Sequence, residues 1–221
     1  MIKKAFSIFY KDWQSELRTR YAVNSLAMFI LVTVSVFVFA LGEEKVSPQL
    51  IAGLFWIGAF FSAMSGLSRI FVTEEERGTT LFLKLVASPS TVYLGKLLFN
   101  LILSIGINLF ITLLFFFFFD SFIIQQVLLF FAMFLLGSAG IAISSTTIAA
   151  IISRASSKGN LFAVLAFPIL LPLILILLEI TKVCIKGNGL SDGMVELGML
   201  VSYDVIMFTI GLMLFDFIWK D

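Results

Sequence analysis

Between Lys96 and Arg154 the chain carries a single charged residue, Asp120. Only Asp120 and Ser121 divide that stretch, leaving apolar runs over 92–119 and 122–152. Each exceeds the ~20 residues that cross a bilayer as a helix. Four further runs lie at 24–41, 50–72, 161–180 and 195–219. The whole chain is 60% hydrophobic and 13% charged, where soluble domains carry about 25% charged residues. A water-soluble globule is excluded, since too little polar surface exists to wrap a core. The runs are continuous and not alternating, which disfavours a β-barrel. The reading is an all-α polytopic membrane protein with six transmembrane helices, one domain over residues 1–221.

Basic residues orient the spans. Twelve of the fifteen Lys and Arg residues fall on one side of this layout; the other side receives Lys45, Lys182 and Lys186. Both termini are therefore expected in the cytoplasm. No cleavable signal peptide is expected, because an amphipathic stretch and not an apolar one follows Lys3 and Lys4. Residues 1–23 place Ile2, Phe6, Phe9, Trp13 and Leu17 along one stripe of a helix, with Lys3, Lys4, Lys11, Arg18 and Arg20 around it. Such a helix lies in the membrane interface. It serves as an anchor alone, or as an elbow that shares a surface with a cytoplasmic partner.

The connection 73–91 is the most informative polar segment. Thr73 and Glu76 have the spacing of a capping box, and Glu74, Glu75 and Glu76 suit a helix N-terminus. Gly78 interrupts, Thr79 is placed to cap a second short helix bearing Leu81, Phe82 and Leu85, and Ser88-Pro89 ends it. One reading is an ordinary solvated loop. The other is a short helix displayed on the cytoplasmic face.

Chemistry is constrained chiefly by what is missing. The chain has no histidine and one cysteine, Cys184, so Ser-His and Cys-His pairs, His-based zinc sites and a histidine haem ligand are all excluded. An intramembrane aspartyl protease needs two mid-membrane acids, and Asp204 has no convincing second. Net charge is +1, so no nucleic-acid partner is expected. Among membrane acids, Glu179 beside Lys182 and Asp216 beside Lys220 read as salt-linked boundary residues, whereas Asp204 is deeper. Span three carries Asn100, Ser104 and Asn108 on one face; span four carries Gly137, Gly140 and Ser144 to Thr147. These ridges either pack together or face a partner subunit and line a path. Pro168 and Pro172 are expected to kink span five. The outer connection 181–194, including Cys184, is expected to form an exposed cap.

Glu74, Glu76, Gly78, Thr79, Leu81, Leu85, Ser88-Pro89 and Gly95-Lys96 together resemble the acidic-Gly-Thr-Leu, Ser-Pro and Gly-Lys run of ABC-2-type transporter membrane subunits. In those proteins this loop forms the coupling helix that docks on the ATP-binding subunit. Trp56, Ser65, Leu67, Arg69, Ile70 and Phe71 narrow the resemblance, as do Lys11-Asp12, Glu16-Leu17-Arg18, Gly42, Gly140, Gly159, Pro168 and Pro172. They are similar to the CcmB family of cytochrome c maturation haem exporters, over most of residues 6–180. The family has an acid where Ser68 stands here.

The resemblance implies an ABC-2-like fold in the bacterial cytoplasmic membrane and a homodimer. It also implies an ABC ATPase partner and further cytochrome c maturation membrane proteins. The chain itself would be non-catalytic, with ATP hydrolysis in the partner linked to handling of haem or its chaperone. Haem would be a transported or partner-bound ligand, with no cofactor held tightly. Implied coupling residues are Glu74, Glu76, Gly78, Thr79, Leu81, Leu85 and Pro89; Arg69, Asn100, Asn108 and Asp204 are pathway or interface candidates. A generic ABC-2 exporter permease for a lipid or drug, and a scaffold without transport, are the alternatives.

Overall fold

The computed structural model describes residues 2–42, 46–71, 74–75, 78–153, 158–187 and 190–220. Its helices are α1 (Ile2–Thr19), α2 (Tyr21–Leu41), α3 (Pro48–Gly66), α4 (Thr80–Val86), α5 (Pro89–Phe118), α6 (Val127–Ser153), α7 (Lys158–Lys186) and α8 (Met194–Lys220). A 3₁₀ turn, Leu67–Arg69, extends α3, and a second, Leu190–Gly193, precedes α8. Six of these helices are long and apolar enough to cross a membrane: α2, α3, α5, α6, α7 and α8. The protein is thus an all-α polytopic membrane protein, with no strand among the described residues.

Helix starts follow local chemistry. Ser47 accepts a hydrogen bond from the Leu50 amide at 3.3 Å, and Pro48 opens α3 at the position where its missing N–H costs nothing. Pro89 does the same for α5, behind a Ser88–Thr91 hydroxyl pair at 2.7 Å. Ser88-Pro89 therefore ends α4 and begins α5, and the third span starts a turn earlier than the apolar run alone indicates. The other end of α5 differs more. The connection to α6 covers residues 119–126, not just Asp120 and Ser121. Phe122 turns inward from it and packs on Phe55, Phe115, Phe116 and Phe130, with ring centroids 5.0–6.2 Å away.

The expected outer cap over 181–194 is also corrected. Helix α7 continues to Lys186, unbroken by Pro168 and Pro172. Thr181 and Cys184 are buried. Trp56 Nε1 donates to Thr181 Oγ1 at 2.8 Å, and the amides of Gln125 and Gln126 donate to the Cys184 carbonyl at 3.0 and 3.2 Å. Those tertiary bonds let polar residues continue a helix that composition alone would end. Glu179 and Lys182 pair at 2.5 Å, as expected. The Asp216–Lys220 pairing involves a side chain outside the described set.

Helix α6 is the hub, packing against α3, α5, α7 and α8. Small residues allow this: a Cβ at Gly140 would stand 2.5 Å from Asp204 Oδ1 and 2.9 Å from a Leu173 methyl. Helix α1 lies against α5, with Ala5 and Ile8 buried. Gly95 makes that approach possible, since a Cβ there would fall 2.8 Å from the Ala5 carbonyl oxygen. Of the expected stripe, Ile2, Phe6 and Leu17 remain exposed on α1. Phe9 and Trp13 are instead half-buried against the core, with the Trp13 ring centroid 6.5 Å from that of Phe99. Arg20, at φ 51°, turns the chain from α1 into α2.

Candidate functional site

Glu74, Glu75 and residues 78–89 are held at the end of the bundle that carries α1. Gly78 takes φ +66°, a left-handed geometry that favours glycine. Its amide donates to the Glu75 carbonyl and that of Thr79 to the Glu74 carbonyl, each at 3.0 Å. The Thr79 hydroxyl donates to the Glu74 carboxylate as well as to its carbonyl. Thr79 occupies the N-cap position of α4 without capping it; its hydroxyl is spent on Glu74 instead. Thr73 and Glu76, the expected capping box, lie outside the described residues.

Glu74 corrects the sequence reading most. The resemblance makes it a coupling residue toward a partner, yet it is buried within its own chain. Its Oε1 accepts from Lys96 Nζ at 2.7 Å and from Lys11 Nζ. Lys96, 1% exposed, also pairs with Asp12 Oδ2 at 2.9 Å, while Lys11 lies 3.4 Å from Asp12 Oδ1. Two cations and two anions thus close a neutral cluster joining α1, α5 and the loop. Burial alone would push the Glu74 carboxyl up. The Lys96 charge and hydrogen bonds from Lys11, Lys96 and Thr79 outweigh it and bring the group down to about 2.

This clamp fixes the base of α4, a helix of seven residues. Only Leu83 is buried on it, whereas Leu81 is 74%, Phe82 66% and Leu85 87% exposed. Lys4 Nζ donates to the Val86 carbonyl at 3.1 Å, and Lys84 Nζ stands 5.9 Å from the Trp219 ring centroid. The apolar face is therefore presented by a helix tied to α1, α5 and α8.

The pathway candidates divide. Asn100 Nδ2 donates to Thr146 Oγ1 at 2.9 Å and to the Leu67 carbonyl at 3.4 Å. Asn108 Nδ2 donates to Ser138 Oγ at 2.9 Å, and Ser104 Oγ to the Ser138 carbonyl at 3.0 Å. The ridges of α5 and α6 thus face each other inside one chain and not a partner across an axis. Arg69 is exposed at the end of its 3₁₀ turn. Asp204 is buried on α8, far along the chain from the loop. Among the described residues, no group of three or more Cys, Asp or Glu side chains is arranged to hold a metal ion.

Lys11, Asp12 and Lys96 were not identified as site residues from sequence, although each stood within a noted motif. A lysine one turn inside an apolar run, as Lys96 is, signals a buried anionic partner. The family model for CcmB protein matches residues 3–216. The chain belongs to the CcmB family. No individually curated protein matches it. Membership makes it a membrane component of a haem-exporting ABC-type system, and six apolar helices make a CcmB chain multi-pass. The match extends through α8 to residue 216, well beyond the region of sequence resemblance near residue 180.

Proposed function

We propose that α4 is the coupling helix of this CcmB chain, the surface on which an ABC ATPase docks. The observation that carries this reading is the exposure of Leu81, Phe82 and Leu85 on a helix anchored at both ends. An unanchored loop would present the same side chains but transmit no displacement. Here a push on α4 reaches α1 through Lys4, α5 through Glu74 and Lys96, and α8 through Lys84 and Trp219. The basic asymmetry supports placing this end, and both termini, in the cytoplasm, where the ATPase works.

ATP hydrolysis belongs to the partner chain, and two CcmB chains pair with two ATPase chains beside other cytochrome c maturation proteins. Haem enters as cargo or as a partner's ligand. The absence of histidine supports iron ligation by another protein. Purified chain titrated with haem is therefore expected to give no sharp six-coordinate spectrum. The docking test is co-purification. Leu81→Ala with Leu85→Ala is expected to strip the ATPase from the chain while helix content stays unchanged, and retention of the ATPase would refute the coupling role.

A further inference from the structure

Asp204 lies ten residues inside α8, about 15 Å along the helix from its start. It is 8% exposed, and among the described residues neither carboxyl oxygen has a hydrogen-bond partner. The side chain is pressed on α6 at Gly140, where a Cβ would stand 2.5 Å from Oδ1. The adjacent Tyr203 hydroxyl is already engaged, with Ser144 Oγ at 2.9 Å and the Ile169 carbonyl at 2.8 Å.

Among the described residues, no cation is paired with it. Helix α6, from Val127 to Ser153, has no charged or titratable side chain. On α7, Glu179 and Lys182 pair with each other, Cys184 and Lys186 lie beyond them, and Lys158 begins the helix at the far end. On α5, Lys96 is committed to Asp12 and Glu74, and the Tyr93 hydroxyl to Thr147. Asp192 belongs to the 3₁₀ turn before α8. On α8 itself, Glu196 lies two turns outward, and Asp216 and Lys220 three or more turns inward. A bare carboxylate at this depth, without donor or counter-ion, is strongly disfavoured against its protonated form. A metal ion needs several oxygen ligands, and none converge here among the described residues. A proton needs only the carboxyl group itself.

We propose that Asp204 is a proton-binding site in the membrane interior, occupied while α8 is seated on α6. Release of the proton requires α8 to leave Gly140, so that water reaches the carboxylate. Proton occupancy and the α6–α8 contact are thus one equilibrium, independent of the docking role of α4.

The test uses the full chain in lipid nanodiscs and reads the infrared C=O stretch of a protonated carboxylic acid at neutral pH. Wild type is expected to give that band, and Asp204→Asn to lack it. Should Asp204→Asn fail to insert, Asp204→Leu is read in the same way. Gly140→Ala, which wedges the contact, is expected to lose the band at a pH lower by about one unit, a tenfold weaker hold on the proton. A wild-type spectrum without the acid band, or one that either Asp204 variant leaves unchanged, would overturn the site. A band that responds to Asp204→Asn but loses its proton at the same pH in Gly140→Ala would overturn its link to the α6–α8 contact.

Discussion

Two polar regions of this CcmB chain are buried by opposite means. At the end bearing α4, four full charges, Lys11, Asp12, Glu74 and Lys96, neutralise one another. In the α5–α6 seam, Asn100, Ser104, Asn108, Ser138 and Thr146 use only neutral groups. Full charges hold few geometries and fail abruptly when one is lost. Hydroxyls and amides are forgiving, because they also bond to their own helix: Ser138 Oγ donates to the Phe134 carbonyl and Thr146 Oγ1 to the Ala142 carbonyl. The clamp suits a part that must transmit a movement. The seam suits a part that must stay packed.

The sharpest way to break this comparison is to remove one charge from the clamp. Lys96→Met removes the buried cation and leaves Glu74 and Asp12 with only the half-exposed Lys11 between them. Breaking a buried pair costs about 3–5 kcal/mol, so thermal unfolding in nanodiscs should show a large loss, partly restored by adding Glu74→Gln. Acid should act at the same place. Glu74 has an ordinary value of 4.5 and stands at about 2 in the fold. Its contribution is therefore complete above 4.5 and is lost as pH falls from there towards 2. Proteolysis of α1 should rise across that window in wild type, and the window should disappear in Glu74→Gln.

A smaller effect is expected where α1 meets α5. Gly95→Val forces atoms against the Ala5 carbonyl and Ile8, an overpacking cost of about 1–3 kcal/mol. Faster cleavage of α1 with unchanged spans is the expected result. The smallest effect belongs to the seam. Asn108→Ala should cost about 1 kcal/mol, and its coupling to Ser138→Ala in a double-mutant cycle about 0.6 kcal/mol. A seam variant as damaging as Lys96→Met would erase the distinction.

Span number was legible because continuous apolar runs leave a chain no other fold in lipid. The short helix between Thr79 and Pro89 was legible too, from the glycine and proline that bound it. The destination of Glu74 was not. In sequence it is one of three adjacent acids in a polar loop, and only folding brings Lys11, 63 residues away, and Lys96, 22 away, to its carboxylate. The facing of Asn108 toward Ser138 was equally hidden, since helical spacing gives a ridge but not what the ridge meets. The C-terminal end of α7 misled for the reverse reason. Thr181 and Lys182 read as a boundary, although Thr181 is inside on Trp56 and Lys182 pairs with Glu179 at the surface.

In the proposed coupling, α4 carries the partner, while the clamp holds α4 in place and passes its displacement to α1 and α5. The most direct measurement compares ATPase affinity and chain stability in Leu81→Ala/Leu85→Ala. Both side chains are exposed, so stability should change by less than about 0.5 kcal/mol. Affinity for the ABC ATPase should fall by about 2 kcal/mol or more, roughly thirtyfold. An ATPase that binds the double variant as tightly as wild type, on an equally stable chain, would contradict the account.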